Sequence, residues 1–207
     1  MDQFLGIILT AFMGVVAFIA RDTYVRIINK KKRSKDVKML HGLRAIVLVG
    51  EAMDMIKENT PAERVLLLEV ADSGEVPRPG SRMFSRAIDV KLGHHDSKPR
   101  QDILAHYGEF LIDQAYIDMV IEAKRTQRAY KFEVDKHPPC LLKSIYIDEE
   151  IKYSEIHHVY SDTEKWRQYI LSISTNKEGE HFTDAKARAA IDIGVNAIRN
   201  AFASIKS

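Results

Sequence analysis

From Asp36 to about Lys57 the residues Met39, Leu43, Ile46, Met53 and Ile56 recur at helical spacing, so the pattern predicts a first helix of the soluble part. Pro61 ends it, because proline also restricts the residue before it. The short apolar run Arg64–Ala71 reads as a central strand. A loop punctuated by Gly74, Pro77, Pro79 and Gly80 follows. Met83–Leu92 alternates loosely, and strict alternation puts Phe84, Ile88, Val90 and Leu92 on one face, with Arg86 as the exception. The stretch Ile103–Ile112 fits a short helix or a strand. Asp113–Ala129 reads as a helix with Tyr116, Ile117, Val120 and Ile121 inward, and Tyr130–Asp135 as a short strand. Cys140–Ile151 fits a helical turn or a crossover. Two further strands form a hairpin, with Ile156, His158 and Tyr160 sharing one face of the first and Tyr169, Leu171 and Ile173 one face of the second. A closing helix carries the seam Ile191, Val195, Ile198, Phe202 and Ile205. Thr183 is its expected N-cap, with Phe182 before it as a hydrophobic staple.

The N-terminus has a different pattern. Phe4–Ala20 is seventeen residues without a charge. As a helix it is about 25 Å long, near the short limit for crossing a bilayer core. Tyr24 follows where an amphipathic ring suits the headgroup layer. Arg26, Lys30, Lys31, Lys32, Arg33 and Lys35 come next, and no acid falls between Arg26 and Lys35. Basic residues beside a spanning helix are retained on the cytoplasmic side and attract lipid headgroups. A cleaved signal peptide is the rival reading, with Val15, Val16 and Ala17 as a poor cleavage site. It lacks the positive charge expected before its apolar region, where Asp2 stands instead. The expectation is therefore a single-pass anchor over residues 1–20, a basic juxtamembrane linker over 21–37 and a folded domain over 38–207. The N-terminus lies outside, the domain is cytoplasmic, and the linker cations contact headgroups.

Charge sharpens this division. The chain carries +2, but Arg21–Lys38 alone holds eight Lys/Arg against two Asp. The domain is thus mildly acidic, which argues against nucleic acid as a partner, since such domains spread basic charge over a folded face. One cysteine, Cys140, excludes an internal disulfide framework.

The order helix, two strands, variable helical region, strand, hairpin, closing helix resembles the GAF domain. The segment Ser174–Phe202 is particularly similar: a strand end, a short loop, a phenylalanine, a capping Thr-Asp pair and an amphipathic helix. The resemblance implies an α+β domain with a central antiparallel sheet. The first and last helices pack together on one face, and loops and short helices on the other enclose a small-molecule pocket. A PAS domain is the nearest rival and normally lacks the long terminal helix pair.

Family chemistries can be tested on the residues. The sulfoxide reductases of this fold need several cysteines, and this chain has one. The Asn-Lys-Phe-Asp-Glu signature of cyclic-nucleotide modules is absent. His137 precedes Cys140, but two prolines intervene, and Cys140 reads as a buried, inert thiol rather than a chromophore attachment point. His94, His95 and Asp96 are adjacent loop residues that seldom reach one ion together. His157 and His158 point to opposite faces of a strand. No Walker loop, dinucleotide fingerprint or triad spacing is present, so no cofactor, metal or reaction is expected. Candidate ligand-binding residues are Arg78, Arg82 and Arg86 around the Pro-Gly loop, and Tyr130, His158, Tyr160 and Trp166 among the strands. For the arginines the competing reading is a surface balanced by Glu69, Asp72, Glu75 and Asp89. Ile191, Ala197 and Ala201 on the closing helix form the expected face of a homo-oligomer, because small residues let helices approach closely. The sequence thus predicts a membrane-tethered sensory or binding module for a small ligand or protein, not an enzyme. The alternative is a degenerate, non-binding scaffold of a bacterial envelope or a virion membrane.

Overall fold

A computed structural model of the chain describes residues 42–72, 82–93, 99–177 and 182–206. The anchor Phe4–Ala20, the basic run, Arg78 and the His94–Asp96 group lie outside these residues. Among the described residues no helix is long and apolar enough to cross a membrane. The chain divides into two units, Met1–Arg44 and Ala45–Ser207, and the sheet belongs to the second.

Six strands form one antiparallel sheet: β1 (Arg64–Asp72), β2 (Met83–Leu92), β3 (Phe110–Leu111), β4 (Tyr130–Glu133), β5 (Tyr153–Asp162) and β6 (Arg167–Thr175), ordered β3-β2-β1-β6-β5-β4. The central strand β1 is buried on both sides, which is why Arg64–Ala71 reads as a nearly continuous apolar run. Helix α1 (residues 42–59) and α5 (Ala185–Lys206) cover one face. Helices α2 (Arg100–His106), α3 (Gln114–Thr126) and α4 (Leu141–Asp148) cover the other. Each face has its own core. Val65, Leu67, Leu171 and Ile173 meet the terminal helices, while Leu66, Leu68, Val70, Ile156 and Ile170 meet α2–α4.

The terminal helices pack as the GAF resemblance implies, but on a different α1 stripe. Ala45, Val49, Ala52, Met53 and Ile56 are buried, whereas Leu43 and Ile46 are 54% and 68% exposed. Met53 and Ile56 keep their expected inward positions, and α5 approaches α1 closely through Gly194. A Cβ there would sit 2.5 Å from Ile56 Cγ1 and 3.2 Å from the Ala52 carbonyl oxygen. On α5 the buried seam is Ile191, Val195, Ile198 and Ala201, with Phe202 partly buried and Ile205 exposed. The α5 cap is one residue later than expected: Asp184 Oδ2 accepts the N–H groups of Lys186 and Ala187.

Two irregularities overturn strict alternation. The register of β2 on β1 shifts between Leu67 and Leu68, so Ile88 has no partner there. Faces therefore swap at Ile88: Ser85 and Val90 point inward towards α2–α4, and Ile88 is 44% exposed. A second shift separates His158 from Tyr160. Tyr160 consequently leaves the face of Ile156 and stacks on Phe202 of α5, with ring centroids 5.2 Å apart. In α3 the inward set is Tyr116, Met119, Val120 and Ala123, and Ile121 faces out. The ambiguous Ile103–Ile112 stretch divides between α2 and the short edge strand β3.

Candidate functional site

The face under α2–α4 is not a purely apolar core. Ser85 on β2, Ser154 on β5, and Ser172 and Ser174 on β6 are buried there among the isoleucines and leucines. Three tyrosines descend on them from the helices: Tyr107 at the end of α2, Tyr116 in α3 and Tyr146 in α4, each at most 3% exposed. Local capping fixes these approaches. Asp113 Oδ1 accepts the Tyr116 N–H at the start of α3, and its Oδ2 accepts the Leu141 N–H at the start of α4, tying the two helix starts together.

The hydroxyls pair unequally. Tyr146 Oη donates to Ser154 Oγ at 3.1 Å, Ser154 and Ser172 lie 2.9 Å apart, and Ser172 closes the ring to Tyr146 at 3.0 Å. Each of the three can donate once and accept once, so the ring is self-satisfied. Tyr116 Oη pairs with Ser85 Oγ at 3.1 Å. Tyr107 Oη, by contrast, is buried and pairs with none of these hydroxyls; its polar neighbour is the Arg64 guanidinium. Burial pushes the Tyr107 phenol well up, the neighbouring Tyr146 adds to this, and the nearby Arg64 guanidinium acts against it. Burial likewise raises Tyr116 and Tyr146, whose serine partners oppose it.

An ion pair borders this cluster. Arg64 Nη1 contacts Glu149 Oε2 at 3.1 Å, with the two side chains 5% and 2% exposed, and His106 Nε2 approaches Glu149 Oε1 at 3.6 Å. A buried ion pair is weak evidence for stability alone. Phenols, hydroxyls and one guanidinium therefore converge at the place where an all-apolar packing would be simplest. Chemically, they can donate to and accept from a small polar molecule. Just outside the turn that carries Glu149, a cleft of about 450 Å³ is lined by Val134, Asp135, Ile147, Glu150, Ile151, Lys152 and Asn176.

Of the seven ligand candidates named from sequence, Arg78 lies outside the described residues and the other six do not converge on this cluster. Arg82 is exposed. Arg86 and Arg167 both grip the buried Glu69 carboxylate, on the face of the terminal helices. Tyr130 meets His137 at 3.2 Å. His158 shares a network with Ser161 and Gln168 at 3.0 and 3.1 Å, and burial first of all holds its pKa below the ordinary value. Tyr160 packs on α5, and Trp166 is 49% exposed at the β5–β6 hairpin. His157 lies on the opposite face from His158, beside Glu155 at 3.4 Å. Among the described residues no group of three metal-ligating side chains occurs.

One further expectation changes. Cys140 is not a fully buried thiol. It is the N-cap of α4, its sulfur accepts the Lys143 N–H at 3.4 Å, and it lies 3.6 Å from His137 Nδ1. The turn through Pro138 and Pro139 brings the pair together, although the two intervening prolines argue against it in the sequence. On α5, Ile191 and Ala201 are buried in the domain's own core and Ala197 packs partly against it.

The tyrosine–serine cluster escapes sequence reasoning because tyrosines in amphipathic helices read as ordinary core. One signal is present. In β6, Ser172 and Ser174 alternate with Leu171 and Ile173 on a strand buried on both sides, and a repeated polar residue at such inward positions marks a polar interior.

No family model and no curated protein matches the chain. Solved structures do. GAF3 of a Synechocystis protein, in its photoproduct state, is 13% identical with a TM-score of 0.52, covering 76% of this chain and 92% of that one. The GAF domain of a two-component sensor histidine kinase from Bacillus halodurans is 12% identical with a TM-score of 0.50, covering 77% and 93%. The chromophore-binding domain of a bacteriophytochrome from R. palustris is 9% identical with a TM-score of 0.51, covering 86% and 63%. At these identities the likeness concerns the fold, and the fold is GAF-like.

Proposed function

We propose that the chain is a membrane-tethered GAF-like module that works by binding a small polar ligand, or a protein partner, rather than by catalysis. The observation that carries this reading is the buried tyrosine–serine cluster on the face opposite the terminal helices, where the Tyr107 hydroxyl pairs with none of the other hydroxyls and lies beside the Arg64 guanidinium. The R. palustris neighbour is a chromophore-binding domain. In this chain the face under α2–α4 is filled by Ile103, Phe132, Ile156 and Ile170, each at most 1% exposed. A compact ligand with a few hydrogen-bonding groups suits it better than an extended one. Phe4–Ala20 would anchor the module, with the basic linker holding it on the cytoplasmic side.

Native mass spectrometry of the full chain, released from detergent, tests the binding reading. A retained mass should be present in the parent protein and lost or reduced in Tyr107→Phe. A bare polypeptide mass in both, with no ligand taken up from a metabolite mixture, would favour the second reading. In that reading the filled interior belongs to a non-binding envelope or virion scaffold. Reporter fusions at the C-terminus should score as cytoplasmic, and a periplasmic score would refute the orientation.

A further inference from the structure

Several elements bring their tips to one end of the second unit. Ala71 pairs with Arg167 and Asp72 with Met83, so the end of β1, the start of β2 and the β5–β6 hairpin share that end. Arg64 pairs with Ser174 at the opposite end, where α1 leads into β1 and β6 leads out towards α5. Both terminal helices therefore run back along the sheet. The last turn of α5 arrives beside the hairpin, as the stacking of Phe202 on Tyr160 and Tyr169 requires, and α1, which ends at the opposite end, starts towards it. Exposed apolar side chains lie on these elements: Trp166 on the hairpin, Ile205 on α5, and Ile46, Val47 and Leu48 in the first half of α1. The hairpin is held in shape, since Asp162 Oδ1 accepts the N–H groups of Glu164 and Lys165 at 3.1 and 3.4 Å.

We propose that this end of the domain rests on a lipid surface, with Trp166 at the boundary between headgroups and acyl chains. The inference rests on the proposed membrane tether. A bilayer is favoured as the occupant because the polypeptide reaches this end from the segment that carries the seventeen-residue apolar run and the basic linker. Tryptophan suits that boundary, having an apolar body and one N–H donor. Charge contributes little. Among the described residues of the strand ends and hairpin, Arg82, Arg86, Lys165 and Arg167 are matched in formal charge by Glu69, Asp72, Asp162 and Glu164, with Arg86 and Arg167 held by Glu69. The contact is therefore apolar and insensitive to salt.

Trp166 is the chain's sole tryptophan, so its emission reports this end alone. The full chain is reconstituted in phosphatidylcholine vesicles brominated either near the headgroup or near the bilayer centre. Shallow bromines should lower the emission about twofold, deep bromines much less, as expected for an interfacial ring. High salt should leave the quenching unchanged, and Ile205→Glu should weaken it. Emission that ignores bromine and stays open to aqueous iodide, in protein that fractionates with the vesicles, overturns this inference and leaves the tether standing. Emission shielded from both quenchers overturns it too, because a second copy then covers the end. Protein that does not fractionate with vesicles overturns both readings.

Discussion

Replacing Gly194 by alanine should destabilise the domain, although the same change in an open helix stabilises. Alanine gains about 1 kcal/mol over glycine in a helix interior. The added methyl at Gly194 would lie 2.5 and 2.6 Å from Ile56 Cγ1 and Cδ1, and 3.2 Å from the Ala52 carbonyl oxygen. Ile56 is fully buried, and the carbonyl belongs to the α1 backbone. Overpacking of this kind costs about 1–3 kcal/mol. With both partners fixed the upper part of that range applies, for a net loss of about 1–2 kcal/mol. Urea unfolding of the full chain in mild detergent, followed by circular dichroism, measures it. Gly50→Ala is the control. Its methyl would meet only Lys91 Nζ at 3.9 Å, so it should stabilise. In a cycle with Ile56→Ala, the double variant should lose less than the two single losses combined, by about 1 kcal/mol or more. A stabilising Gly194→Ala, or strict additivity in the cycle, would refute the close approach of α1 and α5.

Other consequences can be checked on the same footing. Tyr146→Phe opens the Tyr146–Ser154–Ser172 ring and should cost about 1–2 kcal/mol in chemical denaturation. Glu149→Gln leaves the buried Arg64 without its anion and should cost about 3–5 kcal/mol in the same assay. Glu155 responds to acid: burial pushes its pKa up, but the neighbouring His157, the Arg188 guanidinium and the Tyr153 hydroxyl bring it below the ordinary value. Its contribution is therefore present above the unfolded carboxylate pKa of about 4.5 and is lost as pH falls through the folded value. The pH dependence of unfolding should flatten in that acid range in Glu155→Gln. At the alkaline end the buried Tyr107, Tyr116 and Tyr146 are raised, so the folded state keeps protons that the unfolded chain gives up. Stability should therefore fall as pH rises above about 10, with a shallower slope in Tyr116→Phe.

The order of the main elements and the inward seam of the last helix are legible in the amino-acid sequence. Both depend on local signals: the Ile191–Val195–Ile198 spacing, the proline after α1, and the both-sided burial written into Arg64–Ala71. Which residues face which core depends on packing between distant segments. The α1 seam settles on Ala45, Val49 and Ala52 with Met53 and Ile56, instead of Leu43 and Ile46, because Gly194 lets α5 close onto Ile56 and the Ala52 backbone and turns that side of α1 inward. The register shifts beside Ile88 and Val159 reverse the faces of Phe84 and Tyr160, and no alternation rule can place a one-residue bulge in advance. The candidate site depends on the assembled fold most of all. Tyr107, Tyr116 and Tyr146 come from three separate helices, Ser154 and Ser172 from two strands, and Arg64 meets Glu149 across eighty-five positions. Helical periodicity reports that such tyrosines turn inward. Only the stacking of three helices over a sheet can decide that two of their hydroxyls find serines, and that the third lies beside a guanidinium instead.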